Sequence, residues 1–108
     1  MASESVWSTT LSGLAKALNF ESQLDVELTG LTHDSREVKP GDLYIAIPGF
    51  QQHGIDFLDQ AIAAGAVALA SDEHGCQIAQ SQNFPWVLLE NPRPDMAAVA
   101  AEFFNHPE

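Results

Sequence analysis

Three short runs in this 108-residue chain are apolar without alternation: Leu43-Tyr44-Ile45-Ala46-Ile47, Ala66-Val67-Ala68-Leu69-Ala70 and Trp86-Val87-Leu88-Leu89. A strand with one wet face alternates polar and apolar residues, because successive side chains point to opposite sides. Runs without alternation belong to strands covered on both faces, as in parallel sheets flanked by helices. The segments between them fit helices. Phe57, Leu58, Ala61 and Ile62 share one face of a helix over Asp56 to Ala64, with Asp56 available as N-cap and Gly65 just past the end. Ser71 to Gln82 is polar and reads as a turn plus a short helix. Asn91-Pro92 is an N-cap followed by Pro at the first helical position, and Met96, Val99, Ala100 and Phe103 continue one face until His106-Pro107. This alternation predicts an α/β fold, a three-layer domain with a small, mostly parallel sheet flanked by helices.

The N-terminal third adds to the same pattern. Leu11, Leu14, Ala15 and Leu18 give a helix over Ser8 to Leu18, capped by Ser8 or Thr9; Asn19 to Gln23 breaks the pattern. Val26 to Leu31 reads as a half-buried strand in which Gly30 marks a bulge or a close approach. Pro40-Gly41 predicts a tight turn, with Pro presetting φ and Gly accepting a positive one. Trp7, Trp86 and Phe103-Phe104 are read as packing residues. The length suits one domain.

Charge and cysteine content narrow the function classes. With 15 acidic residues, 4 basic ones and a net charge of -11, the chain lacks the clustered Lys and Arg that a nucleic-acid surface needs. The single Cys76 cannot form an internal disulfide, and it has no local partner to activate it. No apolar stretch approaches the ~20 residues of a membrane span, and MASESVW lacks the basic start and apolar run of a secretory signal. A cytoplasmic protein that neither crosses membranes nor binds nucleic acid is expected.

Two polar clusters flank the first apolar run. Thr32-His33-Asp34-Ser35-Arg36 follows a β-prone segment, and Pro48-Gly49-Phe50-Gln51-Gln52-His53-Gly54 follows the run itself. Both therefore lie beyond strand ends, where ligands of open α/β sheets tend to bind. There is no GxxxxGK[ST] or GxGxxG run to cradle phosphates, and the four histidines, His33, His53, His74 and His106, show no metal-ligand spacing. Adjacent His33, Asp34 and Ser35 point in alternating directions on an extended chain and cannot form a catalytic relay. Asp34 and Ser35 fit a turn-stabilising role or a ligand-binding one. Arg36 either clamps Asp34 or Asp42 or meets a ligand phosphate. Phe50 beside the amides of Gln51 and Gln52 suits a planar heterocycle.

The ordered series Asp34-Ser35-Arg36, Pro40-Gly41-Asp42-Leu43-Tyr44-Ile45-Ala46, Gly49, Gly54, Asp56-Phe57, Ala61-Ile62 and Gly65-Ala66 resembles the N-terminal domain of the Mur ligases of peptidoglycan synthesis. Within that family it is most similar to the members that add the third peptide residue. The segment from Asn91-Pro92-Arg93 to Phe103-Phe104-Asn105-His106-Pro107 resembles the helix preceding the family's central ATP-binding domain.

The resemblance implies a domain over residues 1–108 that binds the uridine-diphosphate end of UDP-N-acetylmuramoyl-L-alanyl-D-glutamate. Its contacts would fall at His33, Ser35, Phe50, Gln51 and Gln52, with Asp34, Arg36 and His53 in support. ATP and Mg2+ would serve the complete enzyme, in which ATP phosphorylates the substrate carboxylate and an amino acid attacks the acyl phosphate. The implied partners are that substrate and the central ATP-binding domain. No catalytic residue, metal site or cofactor is assigned to the 108 residues themselves, which are expected to be inactive alone.

Two positions depart from the family's pattern. His33 stands where an apolar residue is usual, and His53 where an aspartate is common. The family members that add D-alanyl-D-alanine share much of the pattern but typically carry DTR where this chain has Asp34-Ser35-Arg36. A stand-alone nucleotide-sugar-binding module is the alternative from another class.

Overall fold

A computed structural model of the chain describes residues 9–48 and 54–104. In chain order the elements are β1 (Thr9–Thr10), α1 (Leu11–Leu18), β2 (Ser22–Gln23), β3 (Glu27–Leu28), β4 (Gly30–Thr32), β5 (Asp42–Ala46), α2 (Leu58–Ala64), β6 (Ala68–Ser71), α3 (Glu73–Ser81), β7 (Trp86–Leu88) and α4 (Pro92–Phe104). Single 3-10 turns at Ser35–Glu37 and Gly54–Phe57 lead into β5 and α2 respectively. The main sheet has the order β2-β7-β6-β5-β4, parallel throughout except for the antiparallel edge strand β2. The expected three layers are present.

The unbroken apolar runs are explained by two-sided burial. Leu43 and Ile45 of β5, Ala68 and Ala70 of β6, and Val87 of β7 face one way, onto Leu11, Leu14 and Ala15 of α1 and Val99 of α4. Tyr44 and Ala46, Leu69, and Trp86 face the other way, onto Leu58 and Ala61 of α2 and Cys76 and Ala79 of α3. All five β5 residues are buried. Each fully buried leucine side chain contributes about 1.5–3 kcal/mol from apolar burial.

Several local readings need correction. Thr10, not Ser8 or Thr9, caps α1, its hydroxyl accepting from Gly13 N, because Thr9 and Thr10 are extended and pair with β3. The strand expected over 26–31 is split at Thr29, whose N–H donates to Gly41 O at 3.1 Å instead of continuing a ladder. Gly30 marks the close approach: a Cβ there would lie 2.5 Å from Asp42 Oδ1. Asp56 does not cap α2; it lies inside the preceding 3-10 turn, and Phe57 occupies the cap position without a side-chain bond. The polar Ser22–Gln23 strand lies where only a break was expected. Trp7 lies outside the described residues.

Other signals hold. Gly41 (φ +93°) and Gly65 (φ +119°) are left-handed, and Gly41 N donates to Gly65 O at 3.0 Å, joining the start of β5 to the end of α2. The Asp72 carboxylate, which sequence reading did not single out, caps α3 by accepting from Gly75 N. At the start of α4, Asp95 and Asn91 bond reciprocally, Asn91 N donating to Asp95 Oδ2 and Asp95 N to Asn91 O, each at 2.9 Å. Burial pushes the Cys76 thiol up to about 12, so at neutral pH it is a packed, protonated group. Among the described residues no helix is long and apolar enough to cross a membrane.

Candidate functional site

At the carboxyl ends of β4 and β5 the surface opens into a cleft of about 600 Å³, lined by His33, Asp34, Ser35, Arg36, Tyr44, Ile47, Gly54, Phe57 and Gln60. The topology creates it. Parallel pairing of Thr32 with Tyr44 sets the chain after β4 beside the end of β5, and the return at Gly54 closes the opposite side. Phe50, Gln51, Gln52 and His53 lie outside the described residues, but Ile47 and Gly54 on either side of them are defined. Gly54 N donates to Ile47 O at 3.1 Å, and the Tyr44 hydroxyl donates to Gly54 O at 2.8 Å.

The first polar cluster is a self-stabilised turn. Asp34 N donates to Thr32 Oγ1 at 3.2 Å, Asp34 Oδ1 accepts from Arg36 N at 2.9 Å, and Glu37 N donates to Asp34 O at 2.9 Å. Arg36 grips the same carboxylate with both faces of its fork, Nε to Oδ1 and Nη2 to Oδ2, each at 3.1 Å. The clamp on Asp34 is thus the one Arg36 makes, and Asp42 instead accepts from Lys39 N in the Pro40-Gly41 turn. The Arg36 side chain is 81% exposed and that of Asp34 25%, so the pair orients the guanidinium more than it stabilises the fold.

The Arg36 hydrogen bonds also hold the Asp34 carboxyl below its ordinary range. A depressed carboxylate pKa contributes stability that is fully present above the unfolded value and is lost as pH falls through the folded one. The turn should therefore stay paired at neutral and mildly acid pH and loosen only below the usual carboxylate range. An NMR titration of Asp34 is expected to give a midpoint below that of a free aspartyl peptide, and Arg36→Ala should raise it. An Asp34 midpoint that does not respond to Arg36→Ala would show that the ion pair does not hold in solution.

Ser35 is half-buried and lines the cleft together with Tyr44. Tyr44 is 1% exposed, and burial pushes its pKa up. His33 is exposed at the rim. Sequence reading missed Tyr44, Phe57 and Gln60. Tyr44 was read as one more apolar strand residue and Phe57 as part of the buried helix face, whereas Phe57 is half-buried and supplies an aromatic wall. Nothing in the local pattern marks Gln60, which reaches the cleft from the first turn of α2.

Comparison with known proteins places the chain in a family. The chain is 47% identical over 83 residues to the UDP-N-acetylmuramoyl-L-alanyl-D-glutamate--2,6-diaminopimelate ligase of Streptomyces avermitilis, covering 77% of this chain and 16% of that protein. It is 38% identical over 102 residues to the UDP-N-acetylmuramyl-tripeptide synthetase of Deinococcus radiodurans, covering 90% of this chain and 20% of that protein. The chain thus spans between a sixth and a fifth of the length of these curated relatives. Among solved structures, the fold matches MurF from Acinetobacter baumannii with a TM-score of 0.66 at 18% identity, over 88% of this chain and 21% of that one. That likeness speaks to the fold. Residues 27–104 match the family described as "Mur ligase family, catalytic domain". With most of its length inside that match, and the resemblance read from its motifs borne out, the chain belongs to the Mur ligase family.

Proposed function

We propose that this chain is the N-terminal, substrate-holding domain of a cytoplasmic ATP-dependent ligase that adds the third peptide residue in peptidoglycan synthesis. On this reading the cleft binds the uridine-diphosphate end of UDP-N-acetylmuramoyl-L-alanyl-D-glutamate. The observation that carries it is the convergence of Ser35, His33 and the oriented Arg36 on one cleft beside an aromatic wall, at the carboxyl ends of two parallel strands. A uracil ring suits Phe57 as a face and Ser35 as a polar partner, with Phe50, Gln51 and Gln52 as further contacts and His53 in support. Arg36 uses two of its five N–H donors on Asp34, which leaves donors for a diphosphate oxygen.

The names of the sequence relatives support the third-residue step, and the Streptomyces protein is named for 2,6-diaminopimelate as the added residue. The MurF fold likeness is compatible with any branch of the family. ATP and Mg2+ are assigned to the remainder of an enzyme of the relatives' length. The sequence has no GxxxxGK[ST] run, and the described residues hold no group of three or more His, Cys, Asp or Glu side chains able to bind a metal. What this chain contributes is binding and orientation of the nucleotide handle.

Calorimetric titration with UDP and with UDP-N-acetylmuramoyl-L-alanyl-D-glutamate tests the reading. Both should bind weakly, since a substrate shared between domains loses contact surface when one stands alone. Ser35→Ala and Gln51→Ala should each weaken binding about tenfold, the effect of losing one hydrogen bond to a bound polar group. Undiminished affinity in both variants would place the nucleotide elsewhere.

A further inference from the structure

Backbone hydrogen bonds fix which way each strand of the sheet turns its N–H and C=O groups. Leu69 N donates to Pro85 O at 2.9 Å and Leu89 N to Ser71 O at 2.7 Å, so Leu69 and Ser71 turn theirs to β7, and Ala68 and Ala70 turn theirs to β5. Through the pairing of Leu43 with Ala68, β6 engages Asp42 and Tyr44, which leaves the Leu43 groups for β4. Leu43 pairs with Leu31 and therefore bonds to Gly30 and Thr32 on either side of it. The N–H and C=O of Leu31 then point outward, away from β5. Among the described residues no strand lies beyond β4, and a groove of about 480 Å³ runs along residues 29–32. Free backbone groups at a sheet edge are a template for another strand.

The chain brings a strand of its own to this edge. Val26 O accepts from Leu11 N at 2.8 Å and Thr9 pairs with Leu28, so Val26 and Leu28 turn their backbone groups to β1. Thr29, the next residue, turns its N–H the opposite way, to Gly41 O just before β5. β1 and β5 thus lie on opposite sides of residues 26–32, and β1 is on the side to which Leu31 points. Val26, Leu28 and Leu31 all pack with the core cluster that holds Leu11 and Val99. A spacing of three between Leu28 and Leu31, in place of two, means that one residue is inserted at Thr29 and Gly30 as a bulge. Counting back along β1, the positions that face this strand are Leu11, Thr9 and then Trp7. Counting forward across the bulge, they meet Val26, Leu28 and then Leu31.

We propose that the outer edge of β4 is the docking surface for residues 5–8 of this chain: they continue β1 past the bulge, Trp7 exchanges both backbone hydrogen bonds with Leu31, and its ring covers the half-buried Leu31 side chain. The occupant follows from connectivity. Trp7 is two residues from Thr9, which is already seated against β3, so no loop has to close before it reaches the edge. Trp also favours strands, where its ring spans directly opposite and diagonal neighbours. The pairing bears on the cleft as well, since β4 ends at Thr32, whose hydroxyl accepts from Asp34 N at 3.2 Å in the turn that carries Ser35 and Arg36.

Amide hydrogen exchange of the full 108-residue chain, read residue by residue by NMR, tests the proposal. The Leu31 amide should be protected in wild type and should lose about tenfold of that protection in Trp7→Pro, which removes the N–H that Leu31 O accepts. Val6→Pro should change it by no more than about twofold, because the Val6 N–H faces away from β4. The Leu69 amide, in the middle of the sheet, is the reference and should hold in both variants. Nuclear Overhauser contacts should join the Trp7 indole to the Leu31 methyl groups in wild type. An unprotected Leu31 amide, equal responses to the two proline variants, or no contact between the Trp7 ring and Leu31 would overturn the proposal. Leu31 protection that grows with protein concentration would assign the edge to a second copy of the chain and overturn it too. If Trp7→Pro does not fold, the Overhauser contact in wild type decides the question alone.

Discussion

Gly65→Ala is expected to cost about 3 kcal/mol of folding stability, because it combines a left-handed backbone with a steric collision. Gly65 has φ +119°, and a Cβ there would lie 2.6 Å from Pro40 Cα and 2.8 Å from Pro40 N. These are backbone atoms of a proline turn, which cannot rotate aside as a flexible side chain would. Retreat is blocked from the other direction too, since Gly65 N donates to Ile62 O and Gly65 O accepts from Gly41 N, each at 3.0 Å. The substitution must therefore break the α2 cap or part α2 from the start of β5. Urea denaturation should show the loss as a lower midpoint with an unchanged slope. A change below about 0.5 kcal/mol, the usual range for harmless surface substitutions, would mean that the turn is not packed as described.

Leu69→Ala is expected to cost about 3–4 kcal/mol, within the range for emptying a fully buried leucine site. Leu69 is 0% exposed on the central strand β6 and packs in the cluster that contains Tyr44, Ala46, Leu58 and Trp86. Strands on both sides prevent the backbone from collapsing into the space, since Leu69 pairs with Tyr44 and with Trp86. The cavity would open beneath the cleft, so nucleotide affinity should fall along with the denaturation midpoint. Domains of this size have about 5–15 kcal/mol of stability in total, so combining this substitution with Gly65→Ala should leave little folded protein. A Leu69→Ala chain as stable as wild type in urea would contradict the packing.

The parts of the fold legible in the sequence were those set by local chemistry. The β5 run declared its double burial because Asp42–Ala46 has residues of both parities in the core, and Pro40-Gly41 and Gly65 declared their turns through φ. What stayed hidden depends on partners distant in sequence. Ser22–Gln23 is too short and too polar to read as a strand; it is one because β7 offers it an edge, with Leu88 N donating to Glu21 O at 2.8 Å. Thr29 interrupts a plausible strand because Gly41, twelve residues on, takes its hydrogen bond.

The cleft followed the same division. The Asp34–Arg36 clamp spans two residues and was one of the alternatives the sequence left open, whereas the role of the Tyr44 hydroxyl depends on a carbonyl ten residues away. Of the residues assigned to nucleotide binding, His33 and Ser35 line the cleft together with Asp34 and Arg36.

The pins at Ile47 and Gly54 bear on how such a pocket can change over time. Ile47 and Gly54 are held by two hydrogen bonds, from Gly54 N to Ile47 O and from the Tyr44 hydroxyl to Gly54 O. Lengthening a loop between fixed ends is inexpensive, about 0.6 kcal/mol per doubling. Because the pins lie outside residues 49–53, insertions between them are expected to leave the register of β5 in place. On the proposed reading, scaffold and recognition segment are in this sense separable inheritances: the sheet is constrained by packing on both sides, and the residues between the pins are not bound by the same register.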